Sequence, residues 1–210
     1  MQAHNSVRRK VVWGTVRWLA IAAVAFMSSP GCGPLTESGR SASFMIIDNL
    51  RGASGATPTQ FTNSLASDVV DLKRGILEDP GQVTIRLGLK DFGSPSAPNT
   101  PTITNYITVT HYRIDFKRSD GRNMPGIDVP HPIEGGMTFT VVGGITTGTF
   151  LLVRAQAKLE PPLITLQGVG GALVISTIAE VTFYGHDQTG VPVSATGYIT
   201  VNFADWADPA

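Results

Sequence analysis

A single cysteine in 210 residues excludes an intramolecular disulfide, and with it the small stapled folds common among secreted chains. Long apolar runs are scarce as well. The run at 18–27 has ten residues; as a helix it reaches about 15 Å, half of a hydrocarbon core of about 30 Å. Extending it backward meets Arg17, which costs roughly 2.5–3.5 kcal/mol inside a bilayer. A spanning anchor is therefore disfavoured. Recognisable reaction motifs are missing too: the chain has no Gly-x-Ser-x-Gly elbow, no His-Glu-x-x-His helix and no Walker loop. The glycines at 168, 170 and 171 lack a spaced third glycine and a following helical pattern, and read as a flexible loop.

No acidic residue occurs in the first 31 positions, while Arg8, Arg9, Lys10 and Arg17 do. A basic head, a short apolar run and then Ser28-Ser29-Pro30-Gly31-Cys32 have the layout of a secretory signal. Arg8-Arg9 also fits a twin-arginine reading, although paired basic residues are ordinary in such heads. Gly31-Cys32 resembles the end of a bacterial lipoprotein signal, where a cysteine follows a small residue; Ser29 and Pro30 depart from the usual aliphatic and small residues upstream. The resemblance implies cleavage before Cys32 and lipidation of Cys32, so that 1–31 is a signal peptide and 32–41 a lipidated cysteine with its tether. Cleavage by the ordinary signal peptidase near Ser29–Gly31 is the alternative. It would leave Cys32 a spare thiol.

Removal of 1–31 takes four of the 16 basic residues and no acidic one, leaving 12 against 16 and a net charge of −4. Nucleic acid is not a partner of such a chain, because phosphate neutralisation needs a clustered basic surface. The densest basic group, Arg113, Lys117, Arg118 and Arg122, is interleaved with Asp115 and Asp120 and reads as a solvated strand face.

Residues 42–206 suffice for one domain with a full core. Apolar residues there alternate with a period of two, the pattern of half-buried strands. Val193, Ala195, Gly197, Ile199, Val201 and Phe203 keep phase over 11 residues. Val83–Leu89, Met137–Val141 and Ala179–Phe183 do the same, and 44–50 and 150–157 are further strands. In 106–117 the phase slips near Thr110-His111, since Ile107 and Val109 are odd but Tyr112, Ile114 and Phe116 even. A one-residue slip turns all later side chains over unless a bulge or bend absorbs it. Segment 65–72 also fits helical spacing but reads as strand in context, and 163–167 after Pro161-Pro162 as one helical turn.

Two stretches resemble immunoglobulin and fibronectin type III domains of bacterial surface proteins. Residues 112–121, with Tyr112, Ile114, Phe116, Asp120 and Gly121, are similar to a central strand and its turn; 181–190, ending in Asp187-Gln188-Thr189-Gly190 and leading into 193–203, resemble a last hairpin. The resemblance implies an all-β, antiparallel immunoglobulin-like β-sandwich of about seven to eight strands. The central strand comes late in the chain, which implies extra strands or long loops. Trp206 is the only tryptophan beyond the signal, so neither a core tryptophan nor a disulfide pins the sheets.

His111, His131 and His186 are far apart and show no ligand spacing, so no metal is expected. Asp120, Asp128, Asp187, Asp205 and Asp208 are too scattered for calcium, and Asp120-Gly121 and 187–190 read as turn chemistry. No catalytic residue or cofactor is assigned, and the chain is not expected to be an enzyme. The proline-stiffened loop 122–132 either offers Met124, Ile127 and Val129 to a partner or folds them back onto the sandwich. The expectation is a non-catalytic envelope lipoprotein facing the periplasm or exterior. It would bind the membrane through its lipid and a protein or glycan through its domain. The alternative is an exported hydrolase with a loop-borne site.

Overall fold

Residues 40–206 are described by a computed structural model; the signal, Cys32, the tether to residue 39 and Asp208 lie outside the described residues. Strands dominate, as the alternation predicts. One sheet has three strands in the order β1 (Ser43–Gly52), β3 (Asp79–Leu89) and β8 (Ile145–Val153). The other has five, β2 (Ser64–Asp68), β10 (Pro192–Ala204), β9 (Ile175–Asp187), β6 (Ile107–Lys117) and β7 (Ile133–Val141). The two-residue strands β4 (Gly93–Ser94) and β5 (Ala97–Pro98) form a separate hairpin inside the long connection 90–106.

The inner faces supply one core. Val83 and Ile85 of β3, Ile114 and Phe116 of β6, Val181 and Phe183 of β9, and Val201 and Phe203 of β10 are all buried. The work of a tryptophan and disulfide falls to aromatics. The rings of Tyr112 and Phe150 meet edge-on at 5.1 Å, those of Phe150 and Phe183 at 5.4 Å, and those of Tyr112 and Phe183 lie 6.5 Å apart. Three such contacts at about 0.5–1.5 kcal/mol each beyond burial approach the roughly 2–5 kcal/mol that a native disulfide supplies. The Tyr112 hydroxyl also crosses between sheets, donating to the Leu151 carbonyl at 3.1 Å and accepting from its amide at 3.2 Å. Leu151 lies opposite Pro80, which has no amide hydrogen to offer.

The phase slip in β6 is a bulge. Pairing with both β7 and β9 shifts between Val109 and His111, leaving Thr110 unpaired and returning Tyr112, Ile114 and Phe116 to the core face. Gly185 of β9 lies under it, where a Cβ would collide with the Thr108 carbonyl.

Three expectations need correction. The sandwich is not wholly antiparallel: the chain leaves the first sheet at Gly52, crosses, and pairs as β2 parallel to β10. The strand expected at 150–157 begins at Ile145 and stops at Val153, because Ala155–Lys158 forms a short helix, α1, before the 3-10 turn Leu163–Leu166. The strand in 65–72 ends at Asp68; Leu65 and Val69 are buried, but Leu72 stands out in solvent from a turn that Asp71 closes.

Candidate functional site

The residues singled out in the sequence do not converge. His111 stacks on Tyr184 at 4.8 Å beside the bulge, with Thr110 Oγ1 2.9 Å from its Nδ1. His131 sits over Gly126, and His186 is at the end of β9. Among the described residues no group of His, Cys, Asp or Glu is arranged to hold a metal ion. The aspartates hold turns and loops, Asp120, Asp128 and Asp187 within their own turns and Asp205 across to the loop 168–170. Asp187 Oδ1 accepts from the Thr189 amide (2.9 Å), the Thr189 hydroxyl (2.6 Å) and the Val191 amide (3.0 Å). Asp205 Oδ2 accepts from the amides of Gly168 and Gly170. Asp128 Oδ2 accepts from the Met124 amide. Asp120 is gripped by Arg118 and Arg122, and the Arg118 hydrogen bonds above all hold its carboxyl well below the usual carboxylate range. In loop 122–132 Val129 is buried while Met124 and Ile127 are exposed, so the loop folds back at one point and shows two apolar residues.

A cluster that the sequence did not signal lies beneath the crossing from β1 to β2. Asp79 and Lys158 form an ion pair at 2.9 Å with both side chains 1% exposed. Asp79 also accepts from the Ser67 hydroxyl (2.6 Å) and the Gly55 amide (2.8 Å), and Lys158 donates to the Leu77 carbonyl (2.7 Å). Serine, lysine and aspartate together resemble a nucleophile with its base. The cavity beside them is about 10 Å³, too little for any substrate. Full satisfaction and closure make this a structural pin, holding α1 against the start of β3.

The open concavity is elsewhere. β2 covers β10 only from Thr200 onward, so 192–199 form a free edge of the five-stranded sheet. β1 is an edge of the other sheet, bulged at Asp48 between Ile47 and Asn49. Residues of the two edges line a groove of about 430 Å³. Gly197 lets Ile47 and Leu50 close on the β10 backbone, forming an apolar floor. The rim is polar, with Asp48, Asn49, Asn63, Thr196 and Tyr198. Asp48 pairs with Arg86 at 2.8 Å and Thr196 with Thr182 at 2.9 Å, whereas the amides of Asn49 and Asn63 make no hydrogen bond among the described residues. Tyr198 is 64% exposed. An apolar floor with unspent amides and a phenol suits recognition through hydrogen bonds. The single carboxylate in the lining, already paired, does not supply the two that glycoside hydrolysis uses. Nothing in the sequence could have shown this groove, since it arises where residues 47–50 and 63 meet 196–198.

The arrangement defines an all-β chain with a polar-rimmed groove at the open edge of its sheets. No family model matches the chain, and no curated protein matches it. Among solved structures, the solution structure of a candidate late embryogenesis abundant (LEA) protein aligns over 95% of this chain and 94% of that chain, at 13% identity and a TM-score of 0.36. A likeness that slight carries no argument about function. Among the described residues no helix is long and apolar enough to cross a membrane.

Proposed function

We propose that the chain is an exported envelope lipoprotein, held to its membrane by acylated Cys32, whose immunoglobulin-like sandwich is a non-catalytic binding module for a protein or glycan. The strand order favours the immunoglobulin-like reading. β1-β3-β8 against β7-β6-β9-β10, with β2 added in parallel beside β10, follows the order of strands A, B and E against C′, C, F and G. The observation that carries the binding role is the β1–β10 groove, where the Asn49 and Asn63 side-chain amides, without a hydrogen-bond partner among the described residues, rim an apolar floor of Ile47 and Leu50 beside the exposed Tyr198. For the anchor, the support is Gly31-Cys32 directly behind a ten-residue apolar run.

Intact mass of the protein purified from its native membrane tests the anchor: a diacylglyceryl adduct on a chain beginning at Cys32 is expected, and an unmodified chain starting elsewhere removes it. The groove is tested by a photo-crosslinking amino acid at Tyr198. One reproducible adduct in cells, lost on Asn49→Leu/Asn63→Leu, is expected. An adduct pattern identical to that from Thr138 on β7 counts against the groove.

A further inference from the structure

We propose that the end of the sandwich where Arg40 enters is a membrane-contact surface, seated on the same phospholipid bilayer that holds the acyl chains of Cys32. This rests on the anchoring reading above. The register places the parts of this tether end together: Ser43 lies opposite Leu89, Arg86 opposite Ile145, and Ile107 opposite both Val141 and Asp187. Around it run the connection 90–106, the turn 142–144 and the turn 188–191. Four large apolar side chains stand out from the first two of these and from the start of β8. Phe92 is 75%, Ile103 74% and Ile145 72% exposed, and Val142 joins them at 40%.

These tips stand on ordered backbone. The Lys90 amide donates to the Ala42 carbonyl (2.9 Å), the Asn99 amide to the Phe92 carbonyl (3.0 Å) and the Ser43 hydroxyl to the Asn105 carbonyl (2.6 Å), while Pro101 packs beside Gly143. Large apolar side chains held out by a hydrogen-bonded base have little backbone left to order when they meet an apolar phase. The charges of this end do not oppose a bilayer. Arg40 and Lys90 are exposed, the Asp91 carboxylate is used by the Gly93 amide at 2.9 Å, and Asp187 is buried in its turn.

Chain length selects the lipid bilayer as the occupant. Eight peptide steps separate Cys32 from Arg40, a reach of at most about 29 Å. The 13 residues of β10 carry the sandwich about 40 Å from this end to the other. An upright inverted sandwich would lift Arg40 out of the tether's reach, so among upright poses an anchor at Cys32 allows only the one with the tips of the tether end on the bilayer. There Phe92 and Ile103 sit at interfacial depth, where an aromatic and an aliphatic side chain gain by leaving water.

The test uses the mature protein from its native membrane, reconstituted in phosphatidylcholine–phosphatidylglycerol vesicles. With the thiol of Cys32 acylated, Phe92→Cys provides the single free thiol for an environment-sensitive fluorophore, and Ile145→Cys is a second position that is equally exposed. Met124→Cys, at the opposite end, is the reference. Nitroxide-labelled lipid is expected to quench the probes at 92 and 145 at least threefold more than the probe at 124, with blue-shifted emission. Equal quenching at all three positions, on protein whose mass shows the diacylglyceryl adduct, overturns the contact surface and leaves the anchor standing. Absence of the adduct overturns both.

Discussion

At the tether end, the connection 90–106 carries one basic and one acidic residue; at the far end, the connections 69–78, 118–132 and 154–174 together carry eleven charged residues. The far end holds its charge in pairs: Arg118 and Arg122 on Asp120, Arg74 on Asp71, and Lys158 on Asp79. The tether end is closed by backbone hydrogen bonds and turns, and its tips are left apolar. One end therefore depends on electrostatic satisfaction in the interior. Apolar surface in water does not separate the two, since Phe92, Ile103 and Ile145 stand out at the tether end and Leu72, Met124 and Ile127 at the far end.

The largest effect that can break this contrast lies in the buried pair. Asp79→Leu leaves the Lys158 ammonium without its partner at 1% exposure, and strips the Ser67 hydroxyl and Gly55 amide of their acceptor. Breaking one half of a buried ion pair costs about 3–5 kcal/mol. The double change Asp79→Leu/Lys158→Met is expected to recover part of that, because no charge is then stranded, although the Ser67 hydroxyl, the Gly55 amide and the Leu77 carbonyl still lack their partners. At the tether end Ser43→Ala removes two hydroxyl hydrogen bonds, to the Asn105 carbonyl at 2.6 Å and with the Ser41 hydroxyl at 3.3 Å, at about 1–2 kcal/mol together. Urea unfolding of the four chains gives the comparison. Equal losses for Asp79→Leu and Ser43→Ala would show that the ends do not differ in what holds them.

Between the ends, Tyr112→Phe keeps the ring contacts with Phe150 and Phe183 but withdraws the hydroxyl from Leu151. Pro80 offers Leu151 no amide, but Leu151 is only half-buried, so the expected loss is about 0.5–1.5 kcal/mol, the net worth of a typical hydrogen bond. A loss no larger than that of Tyr198→Phe, whose hydroxyl is in solvent, would mean that the inter-sheet hydrogen bond contributes nothing.

How far the sequence reveals these features depends on their range. Strand β10 was legible because Val193 to Phe203 alternate without a break, and the bulge at Thr110 because parity itself changes there; both signals are local. Half of β8 was not, since its first residues put Ile145 outward and carry threonines at 146, 147 and 149, so the apolar pattern begins only at Phe150. Ala155–Ala157 continued that pattern in the sequence but turn into α1, where Lys158 is drawn to Asp79 some 79 positions away. The parallel pairing of β2 and the groove that its short length leaves open are likewise set by distant partners.

A smaller, pH-dependent difference comes from one aspartate at each end. Burial pushes the Asp187 carboxyl up, but hydrogen bonds from the Thr189 hydroxyl and Ser41 and from the amides of Val191 and Thr189 outweigh it and hold it below the ordinary value. Asp71 is lowered chiefly by the Arg74 amide, against burial. Each binds a proton less readily folded than unfolded. Each therefore stabilises the fold above the ordinary carboxylate value of about 3.9, and that stabilisation is lost as the pH falls through the folded value. Unfolding midpoints are expected to drop between pH 5 and pH 2. Asp71→Asn and Asp187→Asn should each flatten that drop, and, lying at opposite ends, they should do so additively. An acid limb unchanged in both variants would assign acid unfolding to other carboxylates.

The smallest effect on stability discriminates the ends most sharply. Phe92→Ser/Ile145→Ser at the tether end and Met124→Ser/Ile127→Ser at the far end each replace two exposed apolar side chains. Neither pair packs in the core, so both double variants should unfold within about 0.5 kcal/mol of the natural chain. Equal stability removes folding as an explanation for any difference in behaviour at a surface. If the two ends face different phases, only the first pair lowers the energy transfer from a tyrosine or tryptophan of the anchored protein to a lipid-borne acceptor, because only those side chains hold the domain down on the bilayer. The far-end pair should leave it unchanged. Equal changes would mean that exposure of apolar residues, and not their position relative to the tether, determines contact with lipid.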